Sequence, residues 1–293
     1  MKKLKILLLA SLLIMIMAGC KNQNKKSDKG FTFEQEQAES NIRDIKSVIN
    51  LFPAPGEILT RFYNADLEYN EGILHDPGSA SEYTSSRDKG LNLGVYISDL
   101  AYSALFSRNS EAAGYMEVVR KLSNDLDVSN IAFESLAERL VTNIGNNDSL
   151  IVIGNEAFYN VLEFLETTGR EKDIAVITTG AYIESMFLAM NSIEVYDERD
   201  PILREITELK YPLENLLNQA ESVSEAPAVQ GILDYIRELD DIFSELESEG
   251  IVASVEEPGV ITLSGGSLPE ITAENFSAIK ASVTTIRATI VGN

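Results

Sequence analysis

The sequence is poor in the residue types on which many catalytic and metal-binding sites depend. Its 293 residues include no Trp, one Cys and one His. A single Cys excludes an intrachain disulfide, and one His without further thiols excludes the usual zinc sites, which need several nitrogen or sulfur ligands. The absence of Trp removes the side chain most used to stack on sugars and to anchor interfaces, which leaves 11 Tyr and 11 Phe for those roles.

Positive charge is scarce as well. Lys and Arg number 24 against 46 Asp and Glu, which gives a formal net charge of −22. Because phosphate binding needs clustered Lys and Arg, this composition argues against nucleic acid as a partner. The charge indicates either a solvated acidic surface that keeps the protein soluble or a specific cationic partner. With 44% hydrophobic residues, the chain can form a packed core.

The first 20 residues contain the strongest motif. Three Lys among residues 1–5 precede an apolar run at 6–18, which is shorter than the roughly 20 apolar residues of a membrane-spanning helix. The pattern predicts a secretory signal peptide at residues 1–19. The sequence Met-Ala-Gly-Cys that ends at Cys20 resembles the lipobox of bacterial lipoproteins. The resemblance implies cleavage before Cys20 and acyl chains on its thiol and amine, so membrane lipid is an expected partner.

Residues 20–30 combine Cys20 with a basic segment, KNQNKKSDKG, that has four Lys and no apolar residue. Such a composition predicts a flexible tether, which is either a plain solvated linker or a contact with anionic lipid headgroups. The residue after the Cys is Lys21 and not Asp, and no acidic export signal follows. By resemblance to bacterial lipoproteins, this implies attachment to the outer membrane, facing the periplasm.

Residues 31–293 are expected to form a single helical domain, because apolar residues recur at intervals of three and four along most of this range. The pattern predicts an all-α fold, a multi-helix bundle or short helical array of about nine to ten helices. Asp200-Pro201 predicts a helix start, and Tyr211-Pro212 predicts a kink or split. β-Branched runs at 251–255 and 260–263 predict one small β-hairpin near the C-terminus, followed by a Gly-rich turn.

The clearest helix, at residues 89–108, contains a motif that occurs twice. The sequence Gly-Val-Tyr-Ile at Gly94 recurs as Gly-Ala-Tyr-Ile at Gly180, a spacing of 180 − 94 = 86 residues. The two segments, 89–108 and 175–194, are either a weak internal repeat or two buried helices that coincide in sequence.

Each glycine of the motif costs about 1 kcal/mol relative to Ala inside a helix, so another interaction must offset it. One explanation is the close approach of a neighbouring helix. The other is a ligand that lies against the bare backbone of Gly94 and Gly180, with Tyr96 and Tyr182 as hydroxyl donors. These four residues are therefore the candidate ligand-binding site.

The titratable residues predict no catalytic or metal site. His75 precedes Asp76-Pro77-Gly78 in a polar loop, which is typical of a surface or turn position. Acidic clusters lack the EF-hand spacing, and no pair for glycoside hydrolysis stands out. We interpret them as solvated faces, with calcium binding or carboxylate catalysis as alternatives; they occur at residues 66–71, 197–200 and 238–245.

Two runs, FPAPGEILTRFYNADLEYNEG and LNLGVYISDLAYSALF, resemble mostly helical bacterial lipoproteins of unknown function. The resemblance implies a fold and a location but brings no activity or cofactor with it. Our leading hypothesis is a lipid-anchored, non-enzymatic module that binds an envelope protein or a small ligand. The alternatives are a carboxylate- or calcium-dependent envelope enzyme and a purely structural envelope protein.

Overall fold

A computed structural model of the chain describes most of the predicted helical domain and is mostly helical, which confirms the helical bundle. The predicted signal peptide, Cys20 and the tether lie outside the described residues, as does the Gly-rich turn after the predicted hairpin. The described residues are 52–128, 143, 146–246, 252–257, 260–264 and 270–292.

Nine α-helices occur in these ranges. Two short 3₁₀ helices, Glu71–Ile73 and Pro77–Ser81, connect the first α-helix to the second. Near the C-terminus, β1 (Val252–Glu257) and β2 (Val260–Ser264) pair antiparallel, with Val252 opposite Ser264. The helices are α1 (Pro55–Asn64), α2 (Ser86–Leu105), α3 (Asn109–Asp125), α4 (Asn147–Thr167), α5 (Glu171–Ser192), α6 (Pro201–Glu208), α7 (Lys210–Ser222), α8 (Pro227–Ser244) and α9 (Ala273–Val291).

Several helix ends follow from local chemistry. α6 begins at Pro201 as predicted, and the Asp200 side chain caps it by accepting a hydrogen bond from the Ile202 backbone N–H at 2.9 Å. The predicted split also occurs, because α6 and α7 separate at Leu209. Pro212 then lies in the first turn of α7, where a helix needs no backbone N–H donor.

The core is organised around α5, which packs against α1, α2, α4 and α6–α9. By length and composition, α5 is the one helix in the described ranges that could cross a membrane. However, 89% of its apolar stretch is buried inside the bundle. This burial is typical of the central helix of a packed core.

α2 crosses α5 with the two motif glycines at the contact. A Cβ atom on Gly180 would overlap the carbonyl oxygen of Leu91, and one on Gly94 would overlap the carbonyl oxygen of Ile177. The two backbones are therefore in direct contact, which only glycine permits at these positions. This confirms the close-approach explanation, since the neighbouring helix at each glycine is the other copy of the motif.

Candidate functional site

The two motif tyrosines are fully buried and hydrogen-bonded. Tyr96 donates its hydroxyl to the Asp76 carbonyl at 2.8 Å, and Tyr182 donates to the Leu209 carbonyl at 3.0 Å. Burial raises the pKa of both hydroxyl groups, so they stay protonated. Ligand binding by the four motif residues remains a prediction, and in the described structure their surroundings are filled by protein atoms.

A buried charge cluster lies immediately beyond the motif and consists of Asp99, Glu184 and Arg287. Asp99 on α2 and Glu184 on α5 are both 0% exposed. Arg287 of α9 donates to both oxygens of Glu184, at 2.9 Å from Nε and 3.2 Å from Nη2. The guanidinium also donates to the Ile73 carbonyl at 3.2 Å and lies 4.4 Å from the centre of the Phe187 ring. This two-pronged geometry is the strong form of an arginine–carboxylate pair.

The cluster contains two carboxyl groups but one guanidinium. Asp99 accepts a hydrogen bond from the His75 backbone N–H at 3.2 Å through one oxygen, and its other oxygen, Oδ1, has no hydrogen-bond partner among the described residues. Burial raises the pKa of both acids, and the Glu184 charge raises that of Asp99 further, whereas Arg287 lowers both. Because Arg287 binds Glu184 directly, whereas burial and the Glu184 charge both disfavour an ionised Asp99, we assign the proton to Asp99 and the negative charge to Glu184.

His75 lies in a loop between the two 3₁₀ helices, within the surface or turn position predicted for it, but the surface alternative is wrong, since the residue is only 4% exposed. Its Nε2 lies 2.6 Å from the Tyr83 hydroxyl, and its ring stacks on Tyr96 with 5.1 Å between the centres. Its carbonyl accepts a hydrogen bond from Tyr115 at 3.0 Å. The two flanking 3₁₀ helices fold the polar loop over α2 and direct the imidazole inward. Burial, with a contribution from Arg287, lowers its pKa to about 4, so the ring is neutral at pH 7.

This cluster has the ingredients of acid–base chemistry but no described access to a substrate. A general acid or base must come within hydrogen-bonding distance of the reacting proton. The side chain of Arg287 is 11% exposed, and the other charged members are fully buried. The geometry favours a structural role, in which the cluster fastens α2, α5 and α9 to the loop that contains His75.

Some acids of the predicted acidic faces have ordinary partners in the structure. Asp197 pairs with the exposed Arg199, whose hydrogen bonds lower the pKa of that carboxyl. Asp200 caps α6, and Glu238 accepts a hydrogen bond from Ser282 at 3.0 Å. Across the described ranges, no three His, Cys, Asp or Glu side chains are grouped so that they could hold a metal ion.

An apolar cleft of about 290 Å³ lies between α3 and α4, with α2 as its floor and the start of α1 at its side. Small residues on all three helices leave the space open, for example Ala101, Ala113 and Gly154. A Cβ atom added to Gly154 would meet no atom within 4 Å. The described lining residues are Pro55, Gly56, Ile97, Leu100, Ala101, Ala104, Asn109, Ala112, Ala113, Met116, Glu117, Val119, Ser123, Leu150, Ile151, Ile153, Gly154, Asn155, Ala157, Phe158 and Val161.

Sequence reasoning missed both the charge cluster and the cleft, although each left a signal. Ser98-Asp99 follows the first copy of the motif and Glu184-Ser185 follows the second, so each copy is followed by one Ser and one acid. In the structure the two hydroxyls lie 3.2 Å apart. For the cleft, the signal was the frequency of Ala and Gly on α3 and α4, at positions where core helices usually have Leu or Ile.

The cleft has space for a ligand, and the charge cluster does not. The cleft is lined by described residues with free space between them, whereas the cluster is closed by its own hydrogen bonds. The cleft is therefore the better candidate for a binding site.

Comparisons of this chain with models of protein families, with curated proteins and with solved structures found no match.

Proposed function

We propose that this protein is a lipid-anchored binding module of the cell envelope that takes up a small apolar ligand in the cleft between α3 and α4. The amino-acid composition of the cleft lining supports this proposal most directly. Its described residues include no Lys, Arg or His, and Glu117 is the one acid among them. A charged ligand would lose hydration in such a cleft and gain few favourable contacts, whereas the transfer of a hydrocarbon from water into it is favourable.

The volume of the cleft is consistent with a ligand of modest size. An engineered apolar cavity of about 150 Å³ in another protein binds benzene, and ligand pockets begin at about 300 Å³. At about 290 Å³, this cleft can hold a molecule larger than benzene but smaller than most drugs. A carboxylate enzyme is less consistent with the structure, because Asp99 and Glu184 are fully buried and Arg287 already binds both oxygens of Glu184.

The proposed anchor would keep this cleft close to a bilayer, where apolar molecules are concentrated. Acylation of Cys20 with two or more chains gives stable attachment, since each buried CH₂ contributes about 0.8 kcal/mol. Mass measurement of natively produced protein should show the loss of residues 1–19 and the addition of acyl chains. An intact N-terminus or an unmodified thiol would contradict the proposed location.

Two glycines provide a matched test of binding in the cleft. Gly154 on α4 lines the cleft, whereas Gly114 on α3 is exposed and absent from the described lining. A Cβ atom at either position meets no atom within 4 Å, so neither substitution creates a clash. Gly154→Leu should fill part of the cleft, and Gly114→Leu should leave it unchanged.

The measurement is a fluorescence titration of the full chain with N-phenyl-naphthylamine, an uncharged apolar probe. The protein is held in lipid nanodiscs, and empty nanodiscs serve as the blank because the probe also enters lipid. We expect saturable binding that Gly154→Leu weakens at least tenfold and Gly114→Leu preserves. No saturable binding, or equal affinity in both variants, would overturn the proposed function.

A further inference from the structure

Among the described lining residues of the cleft, one buried polar side chain has no hydrogen-bond partner. Ser123 on α3 is 1% exposed, its residue lines the cleft, and its Oγ makes no hydrogen bond. Several other buried hydroxyls on helices of this protein donate to the carbonyl four residues earlier, as Thr179 does to Ala175 at 2.6 Å. A buried hydroxyl without a partner is costly, which makes Ser123 a polar group that a ligand could satisfy.

The lining residues also define the shape of the cleft. Along α3 they extend from Asn109 to Ser123, a separation of 123 − 109 = 14 residues, or about 21 Å at 1.5 Å per residue. A cleft whose lining extends over that length is elongated along α3. Such an elongated space can accommodate a single extended hydrocarbon chain, and Ser123 is the last lining residue at one end of α3.

The charges around the cleft restrict the polar group of the ligand. None of the described lining residues is a cation that could neutralise a carboxylate or phosphate, and the one acid among them, Glu117, is exposed and paired with Arg120 at 2.6 Å. An anionic group placed against Ser123 would lose its hydration without gaining a counter-ion. An uncharged hydroxyl or amide, by contrast, can exchange a hydrogen bond with the Ser123 hydroxyl.

We infer that the cleft binds one unbranched hydrocarbon chain that ends in an uncharged hydrogen-bonding group, and that this group meets the Ser123 hydroxyl. This inference rests on the proposed function and adds the chemical class of the ligand. Alcohols and amides of fatty chains belong to this class, whereas free fatty acids in their ionised form do not.

The test compares three competitors of similar length against the bound naphthylamine probe in nanodiscs: octanol, octanoate and nonane. Nonane replaces the hydroxyl of octanol with a methyl group, so it isolates the hydrogen bond. We expect octanol to displace the probe at a lower concentration than octanoate. Affinity should also rise about fourfold for each methylene added to the alcohol, until the chain fills the cleft.

Ser123→Ala should weaken octanol binding by about two- to tenfold, the range of a single net hydrogen bond, and leave nonane binding unchanged. Ser103→Ala is the matched control, because Ser103 is another buried serine with an unpaired hydroxyl and lies outside the described lining. This control should alter neither competitor.

The outcomes separate the two proposals. If the probe binds in the cleft but octanoate competes as well as octanol, the inferred ligand class is wrong and the proposed function stands. The same conclusion follows if Ser123→Ala affects octanol and nonane equally. If the probe does not bind, both proposals fail together.

Discussion

α2 contributes small residues to two regions of the molecule, and the consequences are opposite. Where it crosses α5, Gly94 lies against the Ile177 carbonyl and no space remains between the backbones. Where it forms the floor of the cleft, Ala101 and Ala104 leave space that neither α3 nor α4 fills. A small residue thus either permits close packing or prevents it, depending on how near the opposite helix approaches.

The two regions also differ in polarity. The closed region comprises the crossing of α2 and α5 and the charge cluster beside it. It holds a carboxylate, a protonated carboxyl group, a guanidinium and a neutral imidazole, which are linked by hydrogen bonds to one another, to the backbone or, for the imidazole, to Tyr83. The open region is the cleft, whose described lining is almost wholly apolar. We expect the closed region to determine stability, because buried polar networks are costly to break, and the open region to tolerate substitution.

The largest effect should come from Arg287→Met, which removes the cation that Glu184 contacts. An uncompensated buried carboxylate costs about 3–5 kcal/mol of unfolding free energy. Arg61→Met is the control, since Arg61 pairs with Glu205 at 2.8 Å but its side chain is 46% exposed; that change should cost less than about 1 kcal/mol. Urea denaturation measures both. Equal losses would show that the cluster does not stabilise the closed region.

A second large effect is expected at the helix crossing. Gly94→Leu requires α2 and α5 to separate, because its first side-chain atom would overlap backbone atoms of α5. Overpacking of this kind costs about 1–3 kcal/mol or more, which lowers the melting temperature of a domain of this size by several degrees. Calorimetry should detect the shift. A melting temperature equal to that of the wild type would mean that the crossing can open without cost.

The pH dependence of stability should depend partly on His75. Its folded-state pKa of about 4 lies below the ordinary value of 6.5, so the unfolded chain binds a proton that the folded chain does not. The stability from this group is therefore present above pH 6.5 and is lost as the pH falls towards 4. Over that range the loss amounts to about 2–3 kcal/mol.

His75→Gln removes the titrating ring and keeps a hydrogen-bonding side chain. Chemical denaturation at pH 7 and pH 5 should show a smaller loss of stability in this variant than in the wild type. Asp99 and Glu184 act in the opposite direction, because their raised pKa values favour the folded state as the pH falls. The comparison with the variant isolates the contribution of His75, and identical pH profiles would contradict its burial as a neutral ring.

The sequence predicted the helices and the close approach at the motif glycines, but it predicted neither the charge cluster nor the cleft, for a physical reason. Periodicity shows which face of a helix is apolar, and the Asp200-Pro201 signal shows where one begins, since both are local properties. Periodicity does not show what lies opposite that face. The pairing of Glu184 with Arg287 spans 103 residues, and the cleft depends on the distance between α3 and α4. The depth of His75 likewise depends on how its loop folds over α2.

The smallest expected effect on stability concerns the cleft, which is the open region. Gly154→Leu and Gly114→Leu each replace a helix-interior glycine with a better helix former, which should stabilise either helix by up to about 1 kcal/mol. The leucine at position 154 also buries apolar surface in the cleft, whereas the one at 114 faces solvent. Gly154→Leu should therefore be the more stabilising of the two by urea denaturation. If it destabilised the protein, the space beside α4 would already be occupied, and the contrast between a filled crossing and an open cleft would fail.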